Sequence, residues 1–218
     1  MERSTIQAKS KPLPPGVYTP VVTLYKADDP SQKVDYEAMH TQCQALIKAG
    51  MHGLVYLGTN GELVLLSREE RKAIIKTAAQ AAATVGGPNY PIVAGISAQS
   101  TQESIQNAKD AAEAGANSGL LLPPSYWAKA LPSPAIVAYF KEVAAASPIP
   151  IVIYNFPAVT SGIDLDTDQL ATLAAEPNIV AVKLTCGNVG KVTRLTALFS
   201  MKQSVYTVEV AIILCPPL

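Results

Sequence analysis

The sequence predicts an α/β fold of the (β/α)8 TIM-barrel class, because short apolar runs alternate with longer amphipathic segments. The runs are rich in Leu or β-branched residues and do not alternate apolar with polar residues, as is typical of strands buried on both faces. Six strand–helix units therefore indicate a parallel sheet. No GxGxxG follows the first strand and the sequence has no P-loop, which favours a barrel over an open sheet.

The predicted elements follow one another in a regular order. In chain order, the predicted strands are 17–25, 53–58, 91–96, 119–123, 150–156 and 178–185, with a further strand-like run at 205–214. The predicted helices are 35–49, 68–84, 101–114, 134–146, 167–175 and 189–199. Ser67 and Glu70 form a capping box, and three other helices have N-cap candidates at Asp35, Ser100 and Asp166. Gly50 and Gly115 stand where helices should end.

The length of 218 residues predicts a single domain with three parts. We expect a disordered N-terminal tail at 1–14, an incomplete barrel at 15–199 and a divergent C-terminal tail at 200–218. A complete eight-unit barrel needs roughly 250 residues. The expectation is therefore a barrel truncated after about six to seven strands, poorly stable or inactive as a monomer unless a partner completes it.

Composition and charge exclude several classes of protein. The chain is 49% hydrophobic and 16% charged, which excludes a disordered protein. Seventeen basic against seventeen acidic residues predict no nucleic-acid partner, and no apolar run approaches the ~18 residues of a membrane span.

Three widely spaced cysteines, Cys43, Cys186 and Cys215, indicate reduced thiols and a cytoplasmic location. His40 and His52 lack metal-ligand spacing, so no metal site is expected.

Lys183 is the most informative single residue, because it lies near the C-terminal end of a buried apolar run. Lysine is rarely fully buried unless it is paired. Either its amine extends to solvent or pairs with a core carboxylate, or burial favours the neutral amine, which can attack a carbonyl and form a Schiff base. Barrel enzymes place catalytic groups at such strand ends. The pattern alone leaves these alternatives open.

Other candidates follow neighbouring predicted strands. Tyr154 ends the strand before that of Lys183, so the two side chains should lie side by side; its hydroxyl could move a proton, or its ring could pack under a helix. The turn GTNGE at 58–62 could offer N–H donors to a carboxylate, or be an ordinary turn. PPSYW at 123–127 follows another predicted strand and should therefore lie at the same, carboxyl edge of the sheet. GNVG at 187–190 is a weak phosphate-binding signal, which leaves a pyridoxal-phosphate enzyme using Lys183 as an alternative.

Five motifs occur in order, each at a predicted strand: GVYTPVVT, GTNGE, PPSYW, YNFP and VKLT. Over residues 15–197 the chain resembles the dihydrodipicolinate synthase and N-acetylneuraminate lyase superfamily of Schiff-base pyruvate aldolases. The resemblance implies a 2-oxo acid substrate, no cofactor and a homo-oligomer, either a dimer or a tetramer.

The resemblance also assigns roles residue by residue. It implies that Lys183 is the Schiff-base lysine and that Thr59 and Asn60 hold the pyruvate carboxylate. It implies a proton relay of Thr59, Tyr126 and Tyr154. In many members the tyrosine at the position of Tyr126 reaches into the site of a neighbouring subunit.

Two departures from the synthase pattern narrow the expected substrate. The synthases typically read YNVPGRT, and the Arg of that motif binds the carboxylate of aspartate semialdehyde; Val159 stands at that position here and cannot make such a contact. Asn60 and the stretches LPPSYWAKA and GIDLD look most like fungal 2-keto-3-deoxy-hexulosonate and 4-hydroxy-2-oxoglutarate aldolases. We therefore expect a lyase that forms pyruvate and an aldehyde. The alternatives are a synthase-like condensation of pyruvate, or an inactive truncated relative that associates with full-length subunits.

Overall fold

A computed structural model describes residues 13–198 and 206–208 of the chain. The strands are β1 Tyr18–Pro20, β2 Gly53–Tyr56, β3 Ile92–Gly95, β4 Ser118–Leu121, β5 Ile151–Asn155, β6 Ile179–Leu184 and β7 Tyr206–Val208. The α-helices are α1 Tyr36–Lys48, α2 Arg68–Val85, α3 Thr101–Ala114, α4 Ser133–Ala146, α5 Thr167–Ala174 and α6 Val189–Leu198. Short 3-10 helices at Leu63–Leu65 and Pro157–Val159 follow β2 and β5.

The strands form one sheet whose spatial order is the same as the order in the chain, and every neighbouring pair is parallel. A doubly wound sheet would reverse direction at a switch point, whereas a barrel adds each strand beside the last. Seven strands in uninterrupted order therefore confirm the predicted barrel class. Among the described strands, β1 and β7 are the unpaired edges.

The predicted helix ends are confirmed by their hydrogen bonds. Ser67 and Glu70 form the capping box at the start of α2. Three further N-caps accept a hydrogen bond from the backbone N–H three residues on, namely Asp35, Ser100 and Asp166. Gly115 ends α3 with φ 102°, a left-handed conformation that glycine adopts without steric cost. Local sequence therefore sets where these helices begin and end.

Both faces of the sheet are buried, as the apolar runs predicted. In β5, Ile151 and Ile153 belong to the large core between sheet and helices, whereas Val152 and Tyr154 belong to a smaller cluster on the inner face. Successive side chains of a strand point to opposite faces, so each run supplies both cores. Lys183 lies two residues after Ala181, a member of the inner cluster, and therefore on the same face.

The first predicted strand, 17–25, is wrong in its length. β1 ends at Pro20, and Tyr25 instead forms an isolated antiparallel bridge with Val34. The run 205–214 contains β7, which pairs in parallel with β6, but the rest of that run and of the predicted tail 200–218 lie outside the described residues. The predicted tail 1–14 also lies outside them, except for Pro14 and the buried Leu13. No helix within 13–198 is both long and apolar enough to cross a membrane.

Candidate active site

Lys183 and Tyr154 lie side by side at the carboxyl ends of β6 and β5. The strand register pairs the two residues directly, as predicted. The amine Nζ lies 4.1 Å from the centroid of the Tyr154 ring, and only 4% of Lys183 and 3% of Tyr154 are exposed. Within residues 13–198, no carboxylate forms an ion pair with Lys183. Neither exposure to solvent nor a described core carboxylate therefore explains this lysine.

The GTNGE turn brings Thr59 to the same point from β2. Its Oγ1 lies 3.4 Å from the hydroxyl of Tyr154, a long hydrogen bond in which either oxygen can donate. Thr59 and Asn60 are exposed, and among the described residues their backbone N–H groups have no hydrogen-bond partner. Two free N–H groups in one turn can bind a carboxylate. The turn therefore offers an anion site beside Tyr154.

The chain between β1 and α1 holds this turn in place. Thr23 Oγ1 donates a hydrogen bond of 2.7 Å to the carbonyl of Gly61, and the hydroxyl of Tyr25 donates one of 2.8 Å to Glu62. A Cβ at Gly61 would lie 2.8 Å from the backbone nitrogen of Leu57, so only glycine fits there. Burial and the hydrogen bond to Glu62 raise the pKa of Tyr25 to about 12, and its hydroxyl therefore remains a donor. No pattern in the sequence indicated this role of Thr23 and Tyr25.

A cavity of about 220 Å³ opens beside Tyr154 and Thr59. Its wall is mainly apolar, with polar groups from Ser97, Gln99, Ser125 and Thr160 and one carboxylate, that of Glu62, which accepts the hydrogen bond from Tyr25. Val159, at the expected arginine position, also lines it. Lys183 does not line the cavity and lies instead against the Tyr154 ring. The space suits a small ligand with few charged groups.

Tyr126 lies in the loop after β4 and does not line the cavity, although the adjacent Ser125 does. Its side chain is 77% exposed and contacts the ring of Trp127 edge-on, with centroids 5.1 Å apart. Gln99 holds the loop, because its Oε1 accepts hydrogen bonds from the backbone N–H groups of Ser125 and Tyr126. Gln99 was not predicted as a site residue, since its partners lie 26 and 27 residues away and no local pattern indicates them.

A second group of polar side chains lies beside the ends of β5 and β6 and was also missed. Lys191 donates a hydrogen bond to Asp164 Oδ1, which also accepts one from Asn155 Nδ2 at 2.7 Å. Burial acts to raise the pKa of Asp164, but the hydrogen bonds from Lys191 and Asn155 hold it below its usual value. The one available signal was an asparagine inside an apolar strand. Among the described residues, no group of three His, Cys, Asp or Glu side chains is placed to hold a metal ion.

Known proteins share this architecture and sequence. The chain is 44% identical over 188 residues to a protein of Emericella nidulans named "Probable 4-hydroxy-2-oxoglutarate aldolase, mitochondrial", covering 86% of this chain and 60% of that protein. It is 43% identical over 183 residues to an L-threo-3-deoxy-hexylosonate aldolase of Hypocrea jecorina, covering 84% and 58%. The chain therefore spans less than two thirds of the length of these relatives.

Solved structures agree with the fold. The dihydrodipicolinate synthase of Acinetobacter baumannii, in a chloride-inhibited crystal structure with pyruvate, superposes with a TM-score of 0.78 at 31% identity, covering 88% of this chain and 62% of that chain. The family model described as the dihydrodipicolinate synthetase family matches residues 14–211, a longer span than the 15–197 over which the motifs resemble it. With the strand order and these matches in agreement, the chain belongs to the dihydrodipicolinate synthetase family.

Proposed function

We propose that this chain carries the reaction centre of a Schiff-base aldolase, which cleaves a 2-keto-3-deoxy sugar acid or 4-hydroxy-2-oxoglutarate to pyruvate and an aldehyde. The observation that carries the proposal is the buried amine of Lys183, 4.1 Å from the Tyr154 ring and without an ion-pair partner among the described residues. An unpaired amine at the end of a barrel strand is suited to attack a carbonyl.

The reaction begins when the carboxylate of the 2-oxo acid accepts hydrogen bonds from the Thr59–Asn60 turn. The neutral amine of Lys183 then attacks C2, and uptake of one proton from solvent with loss of water leaves a protonated imine. The C4 hydroxyl gives its proton to the Tyr154 oxygen, while Tyr154 passes its own proton towards Thr59 Oγ1, 3.4 Å away. The C3–C4 bond breaks, its electron pair moves into the imine to form an enamine, and the aldehyde leaves.

The second half returns Lys183 to its starting state. The enamine takes back at C3 the proton that the relay received from the C4 hydroxyl. Water then hydrolyses the protonated imine to pyruvate and the free amine, and the proton taken up during imine formation returns to solvent. Tyr126 completes the proton relay from a second copy of the chain, since its ring is 77% exposed here. We therefore propose that the active protein is a homo-oligomer, either a dimer or a tetramer.

The substrate is proposed to carry its hydroxyls towards the cavity wall. Val159 supplies no positive charge to a second carboxylate at the cavity, which argues against a condensation with aspartate semialdehyde. By the same argument, of the two aldolase substrates the sugar acid with its single carboxylate is favoured over the dicarboxylate 4-hydroxy-2-oxoglutarate. The polar groups of Ser97, Gln99 and Ser125 are neutral and suit hydroxyls or a carbonyl. The aldolase names of the fungal relatives support this choice.

Borohydride reduction in the presence of pyruvate tests the proposal. We expect a pyruvate adduct on the peptide that contains Lys183, detected by mass spectrometry, and no adduct in Lys183→Arg, because a guanidinium does not form an imine. Aldehydes and sugar acids are then screened for turnover. A folded protein that never forms the adduct would instead be a relative without the chemistry.

The compartment is part of the same proposal. The cysteine pattern favours the cytoplasm, whereas the Emericella nidulans relative is named mitochondrial. We propose a cytoplasmic location, which cell fractionation of the native source tests directly: recovery with mitochondria would overturn it.

A further inference from the structure

A buried charged group lies just beyond the reacting pair. Lys191, near the start of α6, is 4% exposed, and its Nζ donates a hydrogen bond to Asp164 Oδ1. A buried ammonium needs such a partner, since removing the charge from water is unfavourable unless another charge compensates it. Asp164 is itself half-exposed, in the loop before α5. This ion pair therefore anchors the start of α6 to the segment that follows β5.

Asn155 ties the ion pair to the sheet. It is fully buried at the end of β5, and its Nδ2 donates to Asp164 Oδ1 at 2.7 Å. Its Oδ1 accepts a hydrogen bond of 3.0 Å from the backbone N–H of Leu165, and its backbone carbonyl accepts one of 2.9 Å from Thr185. Asn155 thus joins the end of β5, the loop before α5 and the residue after β6.

The strand register places this group one step from Lys183 and Tyr154. Tyr154 pairs with Lys183, and the next pair is Asn155 with Leu184. Because successive side chains alternate, Asn155 holds the strand from the face opposite to Tyr154. A displacement of about 1 Å between reacting groups can cost about a hundredfold in rate.

We propose that Asn155, Asp164 and Lys191 are positioning residues that hold Tyr154 against Lys183. The inference rests on the proposed function, in which these two residues react with the 2-oxo acid. Among the described residues, none of the three forms a hydrogen bond with Lys183 Nζ or the Tyr154 hydroxyl, so they act through the ends of β5 and β6.

The test compares Lys191→Met with Lys191→Arg, which keeps the charge. The matched control is Lys141→Met, which breaks the ion pair of 2.9 Å between Lys141 and Glu176 on another part of the chain. Two rates are measured under native conditions. One is trace acetylation of Lys183 by acetic anhydride, normalised to the other lysines; the second is borohydride trapping of pyruvate on Lys183.

In Lys191→Met we expect acetylation of Lys183 to rise about fivefold, because its buried amine becomes accessible, and trapping to fall about tenfold. In Lys191→Arg both rates should stay within about twofold of the parent rates, because the positive charge is kept. In Lys141→Met both rates should equal those of the parent. If Lys191→Met does not fold, Asp164→Asn takes its place, since it removes the charge without changing the shape.

Acetylation of Lys183 decides the outcome, because it needs no pyruvate. An unchanged acetylation rate in Lys191→Met or Asp164→Asn overturns the positioning role, even where the melting temperature falls. Absence of a pyruvate adduct in the parent chain would count against the proposed function instead, and the acetylation rates would still test the positioning role.

Discussion

The two tyrosines that we propose for one proton relay, on the family resemblance, lie in opposite surroundings. Tyr154 ends β5, is 3% exposed and lies against Lys183. Tyr126 lies in the loop after β4, is 77% exposed, and its ring contacts only the neighbouring Trp127 among described aromatic rings. The pairing of β5 with β6 places Tyr154 beside Lys183 within a single chain. Nothing within the described residues covers Tyr126, so its proposed role needs a second copy of the chain.

The largest expected effect comes from the phenolic oxygen of Tyr154. In Tyr154→Phe we expect the rate of carbon–carbon cleavage to fall about 10²- to 10⁴-fold, because a proton acceptor at C4 is lost. The melting temperature should change little, since among the described residues the hydroxyl makes a single, long hydrogen bond, to Thr59. Single-turnover kinetics measure the rate.

Tyr90→Phe is the matched control. It removes a hydrogen bond of 2.6 Å to the carbonyl of Met51, which should lower stability by about 1 kcal/mol without changing the cleavage rate. Equal rates in Tyr154→Phe and the parent would show that the hydroxyl of Tyr154 takes no part in the reaction.

The contrast between the buried region around Tyr154 and the exposed loop around Tyr126 should also appear in the free energy of unfolding. Ile153, beside Tyr154, is 1% exposed, and Ile153→Ala should cost about 2–5 kcal/mol because it leaves a cavity. Trp127, beside Tyr126, is 66% exposed, and Trp127→Ala should stay within about 0.5 kcal/mol. Urea denaturation at low protein concentration measures both. A large loss in Trp127→Ala would contradict the view that the loop is uncovered in a single chain.

The buried strands were predictable because periodicity and capping are local signals. The runs that became β2 to β6, and the N-caps such as Ser67, needed no knowledge of distant contacts. The placing of Lys183 beside Tyr154 followed from one further rule, that consecutive parallel strands end together. Fold class and the central pair were therefore available from the sequence.

Contacts between distant segments were not available in the same way. The loop clamp at Gln99 and the pairing of Lys191 with Asp164 join residues about 26 apart, each of which looks ordinary in its own segment. The early end of β1 was also missed, since 17–25 is apolar almost throughout and Pro20 was the sole local sign of a break. Three-dimensional packing decides such features.

The proposed position of Tyr126 is tested by mixing two impaired variants, and the expected change in activity is smaller than that in Tyr154→Phe alone. Tyr126→Phe and Tyr154→Phe should each be impaired alone as homo-oligomers. If Tyr126 completes the site of a neighbour, a mixed dimer contains one intact site, and random mixing should restore about a quarter of the parent activity. Steady-state assays after co-refolding measure the recovery. An inactive mixture would place Tyr126 outside the neighbour's site.

The smallest expected effect concerns acid stability, which we assign to the helix layer and to neither tyrosine region. Hydrogen bonds from Arg68, opposed by partial burial, hold the pKa of Asp110 below its usual value, and this pair joins α3, which contains Asp110, to the start of α2. A folded-state pKa below the unfolded value of about 3.9 stabilises the fold above that pH, and the stabilisation is lost as pH falls through the folded-state pKa.

Asp110→Asn should therefore lower the melting temperature by a few degrees at neutral pH, and the difference from the parent should shrink as the pH is taken below about 4. Thermal scans from pH 7 to pH 2 measure this difference. Arg68 is half-exposed, so salt should weaken the effect as well. If the difference in melting temperature stays constant with pH, the lower stability of Asp110→Asn comes from packing around Asp110 and not from its charge. Acid unfolding would then depend on another carboxylate, and Asp164, beside the reacting pair, is the first candidate because its pKa is also held below its usual value.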